Sequence, residues 1–282
     1  MTNKKSQTNS RESGRERFFT VLAVLLPLLF FVLLEGGLRL AGYGDDYPLF
    51  LPINGFTDYL YTSRDVANRY FSQQESVPSI PFDSFTRVKG ESTIRVFVQG
   101  GSSAAGYPFY FSGGFSDMLE QRLLQSYPGR NVEVVNTSMA AVNSYTLLDL
   151  ADEIIEQQPD AILIYAGHNE YYGALGVGSA ESIGRWRPSV MLYLSLKKLR
   201  TVQALREMVA GIFRLVGDRE RGEAPGSTLM ARMVGEKSIP YESATFDAGI
   251  EQFRANMSDL LAKYRRHDNC CKSKVEPPGK GD

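Results

Sequence analysis

Three short strand-like runs rich in β-branched and aromatic residues, at residues 94–98, 131–135 and 161–165, alternate with two stretches of helical periodicity. The first stretch carries Phe115, Met118, Leu119, Leu123 and Leu124, and the second carries Leu147, Leu148, Leu150, Ile154 and Ile155. Apolar residues at three- and four-residue spacing mark the buried stripe of a helix. A short β-branched run bounded by turn residues marks a buried strand. Strand, helix, strand, helix, strand at these intervals leaves few folds open. Strands joined by helical crossovers lie parallel, and the crossovers keep one hand. The expectation is an α/β fold whose strand ends share one edge, where open sheets of this class bind ligands.

Each strand delivers a turn of small or polar residues to that edge. The first ends in Gly100-Gly101-Ser102-Ser103, with Gly106 close behind. The second runs into Asn136-Thr137-Ser138-Met139-Ala140-Ala141, and the third into Gly167-His168-Asn169-Glu170. A hydroxyl, a small-residue turn with free backbone N–H groups and a side-chain amide therefore meet. Acyl transfer needs this set: a nucleophile, and donors aimed at the oxyanion of a tetrahedral intermediate. The bland alternative for the first turn is a Gly/Ser connection without chemistry. Other phosphate and nucleophile motifs do not fit. The Gly-Lys-Ser/Thr ending of a phosphate loop is absent, Ala104 stands where a G-x-S-x-G elbow needs its second glycine, and no G-x-G-x-x-G falls around Gly101.

In these blocks the chain resembles the SGNH/GDSL hydrolase superfamily. Residues 100–106 resemble the family's G-D-S-L-x-x-G block, residues 135–141 its second block, and Gly167-His168-Asn169-Glu170 its G-x-N-D block. The resemblance covers roughly residues 91–266. It implies a three-layer, flavodoxin-like fold around a parallel sheet, with Ser102 as nucleophile and backbone oxyanion donor. It also implies Ala141 as a backbone oxyanion donor and Asn169 as the side-chain donor. Gly101, Ser103, Gly106, Gly167, His168 and Glu170 would surround them, with no metal and no cofactor. Two positions depart from the family pattern: Ala141 replaces a glycine, and Glu170 an aspartate.

A fourth block is missing. The family draws its catalytic base from an Asp-x-x-His pair near the C-terminus, and this chain has two histidines. Tyr264 stands three residues before His267, which the sequence puts at the end of a helix as a solvated cap complementing the helix dipole. His168 neighbours Asn169 and reads as a pocket-lining residue. Without a base, a serine hydroxyl is almost wholly protonated at neutral pH and a poor nucleophile.

Residues 18–34 are apolar except for Thr20, contain Pro27, and follow Lys4, Lys5, Arg11, Arg15 and Arg17. About 20 such residues cross a bilayer, and basic flanks stay in the cytoplasm. The expectation is a cytoplasmic tail over 1–17 and a single membrane span over 18–41, with the remaining chain periplasmic or extracellular. Glu35 and Arg39 interrupt any small-x-small cleavage site, which weighs against a removable signal peptide. Residues 42–90 read as a loop-rich connector, with a short helix near 64–71. Residues 91–268 form the hydrolase-like domain, with a helical insertion over 179–242 that is helical at 190–213. Phe246, Ile250, Phe253, Met257, Leu260, Leu261 and Tyr264 form a last amphipathic stripe. A further strand is expected after it. The polar, Pro/Gly/Lys-rich stretch 269–282 does not read as one, so the sheet is expected to be incomplete there.

With 31 basic and 32 acidic residues, no basic face for nucleic acid is expected. Adjacent Cys270 and Cys271 make neither a disulfide framework nor a zinc site. The functional expectation is a membrane-anchored ester hydrolase acting on a carbohydrate acyl ester, a lipid or a small ester. Three alternatives stand beside it: an O-acyltransferase on the same fold, an inactive binding or scaffold protein, and a lipid-facing structural protein whose helices over 190–213 pack on the membrane.

Overall fold

The computed structural model describes residues 5–71, 77–109, 113–180, 182–216, 234 and 238–272. In chain order its elements are α1 (Lys5–Leu40), β1 (Phe50–Ile53), β2 (Phe56–Thr62), a 3-10 helix (Arg64–Arg69), β3 (Ser84–Thr86), β4 (Thr93–Gly100), α2 (Phe115–Ser126), β5 (Asn131–Asn136), α3 (Ser144–Glu156), β6 (Ala161–Tyr165), α4 (Arg187–Leu196), α5 (Arg200–Val216) and α6 (Ala244–Lys272). The chain divides into two units. One is Met1–Asp46 with Ser195–Gly222, and the other is Tyr47–Leu194 with Glu223–Asp282.

The larger unit is mixed α/β around a three-stranded parallel sheet of order β5-β4-β6. β4 is central, and all but one of its residues are buried, Arg95 and Gln99 among them, so Val96, Phe97 and Val98 follow one another without polar alternation. Its side chains alternate between two cores. Val96 and Val98 pack with Val132, Val134, Leu119 and Leu123 beneath α2. Phe97 packs with Val135, Leu147, Leu150, Ile154 and Leu260 on the side of α3 and α6. From β4 the chain passes to β5 on one side and then to β6 on the other. The strand order therefore reverses at the carboxyl end of β4, and such a switch point opens a crevice. Ser102 lies there.

β6 is half-covered. Ile162 and Ile164 pack on the larger core, while Leu163 and Tyr165 on the other face are exposed. Among the described residues it pairs with β4 alone.

Residues 42–90 are more ordered than a loop-rich connector. β1, β2 and β3 form an antiparallel sheet, with a 3-10 helix at Arg64–Arg69. The aromatic content is the reason: Phe50, Phe85 and Phe97 meet edge to face, with centroids 5.1–5.7 Å apart, closing this sheet onto β4. Arg95, buried on β4, reinforces the join. It donates to Glu133 at 2.7 Å, to the Thr86 carbonyl at 2.6 Å and to the Gln157 carbonyl at 2.8 Å.

Residues 190–213 are not one helix but parts of two, α4 and α5, with a break between Leu196 and Arg200. α6 runs on to Lys272, so His267 lies within it rather than at its end. Residues 217–233 of the expected insertion and 273–282 of the tail lie outside the described residues.

In the smaller unit, Phe19–Leu40 within α1 is long and apolar enough to cross a membrane by length and composition, with a mean hydropathy of 2.5 and none of that window buried.

Candidate active site

The turn after β4 is built on two glycines that leave no room for a side chain. A Cβ on Gly100 would stand 2.1 Å from the Tyr165 carbonyl oxygen and 2.6 Å from the Ala104 Cβ. The chain then folds back tightly. Ala105 N–H donates to the Gly101 carbonyl at 3.0 Å, Gly106 N–H to Ser103 at 3.3 Å, and Tyr107 N–H to Ser102 at 3.0 Å. Ser102 is half-buried, Ser103 exposed and Gly106 buried.

The third turn comes to the same place. A Cβ on Gly101 would meet His168 Nε2 at 2.8 Å and Asn169 Nδ2 at 2.9 Å, so the imidazole and the amide both lie over the residue preceding Ser102. Gly167 and His168 are exposed, while Asn169 and Glu170 are buried. The Nδ2 of Asn169 is buried and donates no hydrogen bond among the described residues. An unpartnered buried donor is costly, and native structures hold few of them. This one sits beside the serine turn.

Glu170 anchors that turn from below. Its carboxylate accepts the Ser144 backbone N–H at 3.1 Å and the Ser144 Oγ–H at 2.7 Å, at the start of α3. Burial pushes the Glu170 carboxyl above its ordinary range, and the two Ser144 bonds oppose that shift. Asn256 Nδ2 of α6 donates to the same Ser144 oxygen at 2.9 Å, and Arg187 Nε donates to Asn256 Oδ1 at 2.7 Å. Sequence reasoning missed this chain of polar contacts. Its one local signal is Asn143-Ser144 ahead of an apolar stripe, a helix start in which Asn143 Oδ1 accepts the Tyr145 N–H.

The second turn is fixed by Asn136. Its side chain donates to the Ala104 carbonyl at 2.8 Å and to Ser116 Oγ at 3.0 Å, and accepts the Ser138 N–H at 3.0 Å. Met139 N–H donates to the Gly100 carbonyl at 3.1 Å. Ala141 is fully buried and has φ +54°, the left-handed region where glycine is at ease and a Cβ is not. Its carbonyl accepts the Ala174 N–H at 2.7 Å, tying the second turn to the third.

Among the described residues no hydrogen bond joins Ser102 Oγ to an imidazole. His267 is half-buried within α6. Position 264, where an aspartate would precede it, is committed to the core: Tyr264 O–H donates to Gln99 Oε1 at 2.6 Å, and Gln99 Nε2 donates to the Leu147 carbonyl at 3.2 Å. No group of three His, Cys, Asp or Glu side chains able to hold a metal ion occurs among the described residues.

A cavity of about 400 Å³ borders the back of the serine turn. Its lining includes Ala105, Gly106, Asn136, Arg64, Asp83 and Asp117. Asp83 Oδ2 accepts the Asn136 N–H at 2.7 Å. Burial, with Asp117 and Glu120 adding like charge, pushes the Asp83 carboxyl up to about 6 against the pull of that N–H. Nothing local in the sequence marks Arg64 or Asp83, because a connector brings them here.

Comparison with family models, with curated proteins and with solved structures gives no match to this chain.

Proposed function

We propose that the chain is a membrane-anchored serine hydrolase of SGNH/GDSL type, acting on ester bonds. The observation that carries the proposal is the buried, unpartnered Asn169 Nδ2 beside Gly101, the residue that precedes Ser102. A donor kept without a partner suits a negative charge that appears only during reaction. The strand order β5-β4-β6, with its switch point at the serine turn, supports the family reading.

In the proposed reaction Ser102 Oγ attacks the ester carbonyl carbon, and its proton goes to the departing alcohol. The acyl-serine is then cleaved by water, or by an acceptor hydroxyl in an O-acyl transfer. The backbone N–H groups of Ser102 and Ala141 and the Asn169 amide hold the oxyanion, while His168 lines the mouth of the site. The cavity beside Gly106 gives part of the substrate a place.

The anchor belongs to the same proposal. α1 spans the bilayer with its basic N-terminal tail in the cytoplasm, and the larger unit lies on the other side. Retention of the helix is favoured over cleavage because Glu35 and Arg39 hydrogen-bond to Arg200, Thr201 and Lys198, tying its C-terminal end into a folded unit.

A second reading, a binding protein without turnover, is favoured by one observation: Ser102 Oγ has no hydrogen-bonded imidazole among the described residues. Covalent labelling of the full chain by a fluorophosphonate separates the two readings. Labelling that disappears in Ser102→Ala supports the hydrolase, and equal signal in both proteins removes it. Turnover of p-nitrophenyl acetate gives the corresponding rate.

A further inference from the structure

α5 has two unlike faces. Arg200, Gln203 and Glu207 lie on one side, three and four residues apart, and the chain just after α1 engages all three. Arg200 pairs with Asp46 at 2.9 Å, Gln203 Nε2 donates to the Asp45 carbonyl at 2.9 Å, and Glu207 accepts from Tyr43 O–H at 2.6 Å. Glu35, inside α1, accepts the N–H groups of Arg200 and Thr201 at 3.1 and 2.9 Å, so α1 satisfies donors at the start of α5.

The other side carries Leu205, Met208, Val209 and Ile212, at the i, i+3, i+4, i+7 spacing of one stripe. Their exposures are 55, 57, 40 and 51 %. An amphipathic helix on a water-soluble unit turns its apolar stripe inward and its charges outward. α5 does the reverse: its polar side meets protein and its apolar side is open. In the same unit the apolar length of α1 is equally uncovered. Two apolar surfaces tied together by Glu35 call for a common apolar surrounding.

We propose that the stripe Leu205, Met208, Val209 and Ile212 lies in the boundary layer of the bilayer that α1 crosses. The protein then holds the membrane at two places, through a spanning helix and an in-plane helix. The inference rests on the reading of α1 as a membrane span. With 17 residues including Arg200, Arg206 and Glu207, α5 is too short and too charged to cross on its own. Such a helix buries its apolar face in the headgroup–acyl boundary instead.

Depth-dependent quenching tests this on the full chain reconstituted in phosphatidylcholine–phosphatidylglycerol vesicles with brominated acyl chains. Trp186 is the single tryptophan, so a Trp186→Phe background accepts one reporter at a time. Met208→Trp reports the stripe. Glu207→Trp reports the opposite side, which carries Arg200 and Gln203. Phe30→Trp reports α1. The expected result is quenching of the Met208→Trp reporter at least about twofold stronger than that of Glu207→Trp, with blue-shifted emission. If the Phe30→Trp reporter is quenched while the other two behave alike, the in-plane helix is overturned and the span stands. If the Phe30→Trp reporter is not quenched, both fall. A blue-shifted Met208→Trp reporter that neither brominated lipid nor aqueous iodide quenches means that protein covers the stripe, which also overturns the proposal.

Discussion

Ser144 donates twice to Glu170, through its backbone N–H at 3.1 Å and its Oγ–H at 2.7 Å, so the turn carrying Asn169 is bolted to the first residue of α3. The α3 start needs partners for its leading N–H groups, and Asn143 supplies the other one. Glu170→Ala strips both bonds and is expected to cost about 1–2 kcal/mol in urea unfolding. Glu170→Gln keeps an acceptor and should cost less. A Glu170→Ala protein as stable as the parent would mean the contact has no structural weight.

Asn169 should behave in the opposite way. Its Nδ2 makes no hydrogen bond within the described residues, so Asn169→Ala gives up no internal bond and should change stability by less than about 1 kcal/mol. If the amide holds the oxyanion, the same change lowers kcat about 10²–10³-fold on p-nitrophenyl acetate. Lost stability with unchanged turnover would make Asn169 a structural residue and remove the main support for the proposed mechanism.

The contrast between these residues indicates what the sequence can carry. β4 was legible because a strand buried on both faces puts Val96, Phe97 and Val98 in succession, and α2, α3 and α6 because each has a stripe. The serine turn was legible because Gly100 and Gly101 leave no space for a Cβ. β1, β2 and β3 were not: β2 begins with four exposed residues, so its side chains show no in–out alternation, and its partner β3 follows more than twenty residues later. The break between α4 and α5 was hidden for a similar reason. The carboxylate that caps α5 comes from Glu35, 165 residues away from Arg200. The Arg64–Asp83 side of the cavity likewise depends on packing that no local pattern encodes.

Ala141 occupies a conformation better suited to glycine. Its φ of +54° carries a steric cost of roughly 1–2 kcal/mol for a residue with a Cβ. Ala141→Gly relieves that cost but frees the unfolded chain by about 0.4–1 kcal/mol, so a net stabilisation of about 0–1.6 kcal/mol is expected. Ala141→Val adds a branched side chain in a fully buried site and should lose roughly 1–3 kcal/mol. Thermal unfolding of the pair checks the ordering; a more stable valine variant would contradict the strain argument.

Arg95 and Glu133 form a buried ion pair across β4 and β5, with side chains 1 and 8 % exposed. Glu133 also accepts the Thr86 N–H and Oγ–H at 3.0 and 2.7 Å, holding β3 against the parallel sheet. Glu133→Ala leaves a guanidinium buried without its counter-charge, which typically costs about 3–5 kcal/mol. A double substitution that replaces both partners by apolar residues should recover much of that loss. If the double variant is as unstable as Glu133→Ala, the cost comes from the Thr86 contacts and not from the orphaned charge.

Asp83 gives a pH-dependent prediction with a definite sign. Its carboxyl titrates near 6 in the folded protein, above its ordinary 3.8. Below about pH 3 the group is protonated in both folded and unfolded chains and has no effect on the difference between them. As pH rises toward 6, the unfolded chain gains from ionisation while the folded one stays protonated, so stability falls; above 6 the loss levels off. At about 1.4 kcal/mol per pH unit of separation, the loss is on the order of 2–3 kcal/mol. Asp83→Asn keeps an oxygen for the Asn136 N–H and removes the ionisation. The variant should match the parent at pH 3 and exceed its unfolding free energy by that amount at pH 8. A constant difference across the range would show that the carboxyl's protonation is not what sets it, and an Asp83→Asn protein less stable at pH 8 would mean the ionised carboxylate is favoured beside Arg64.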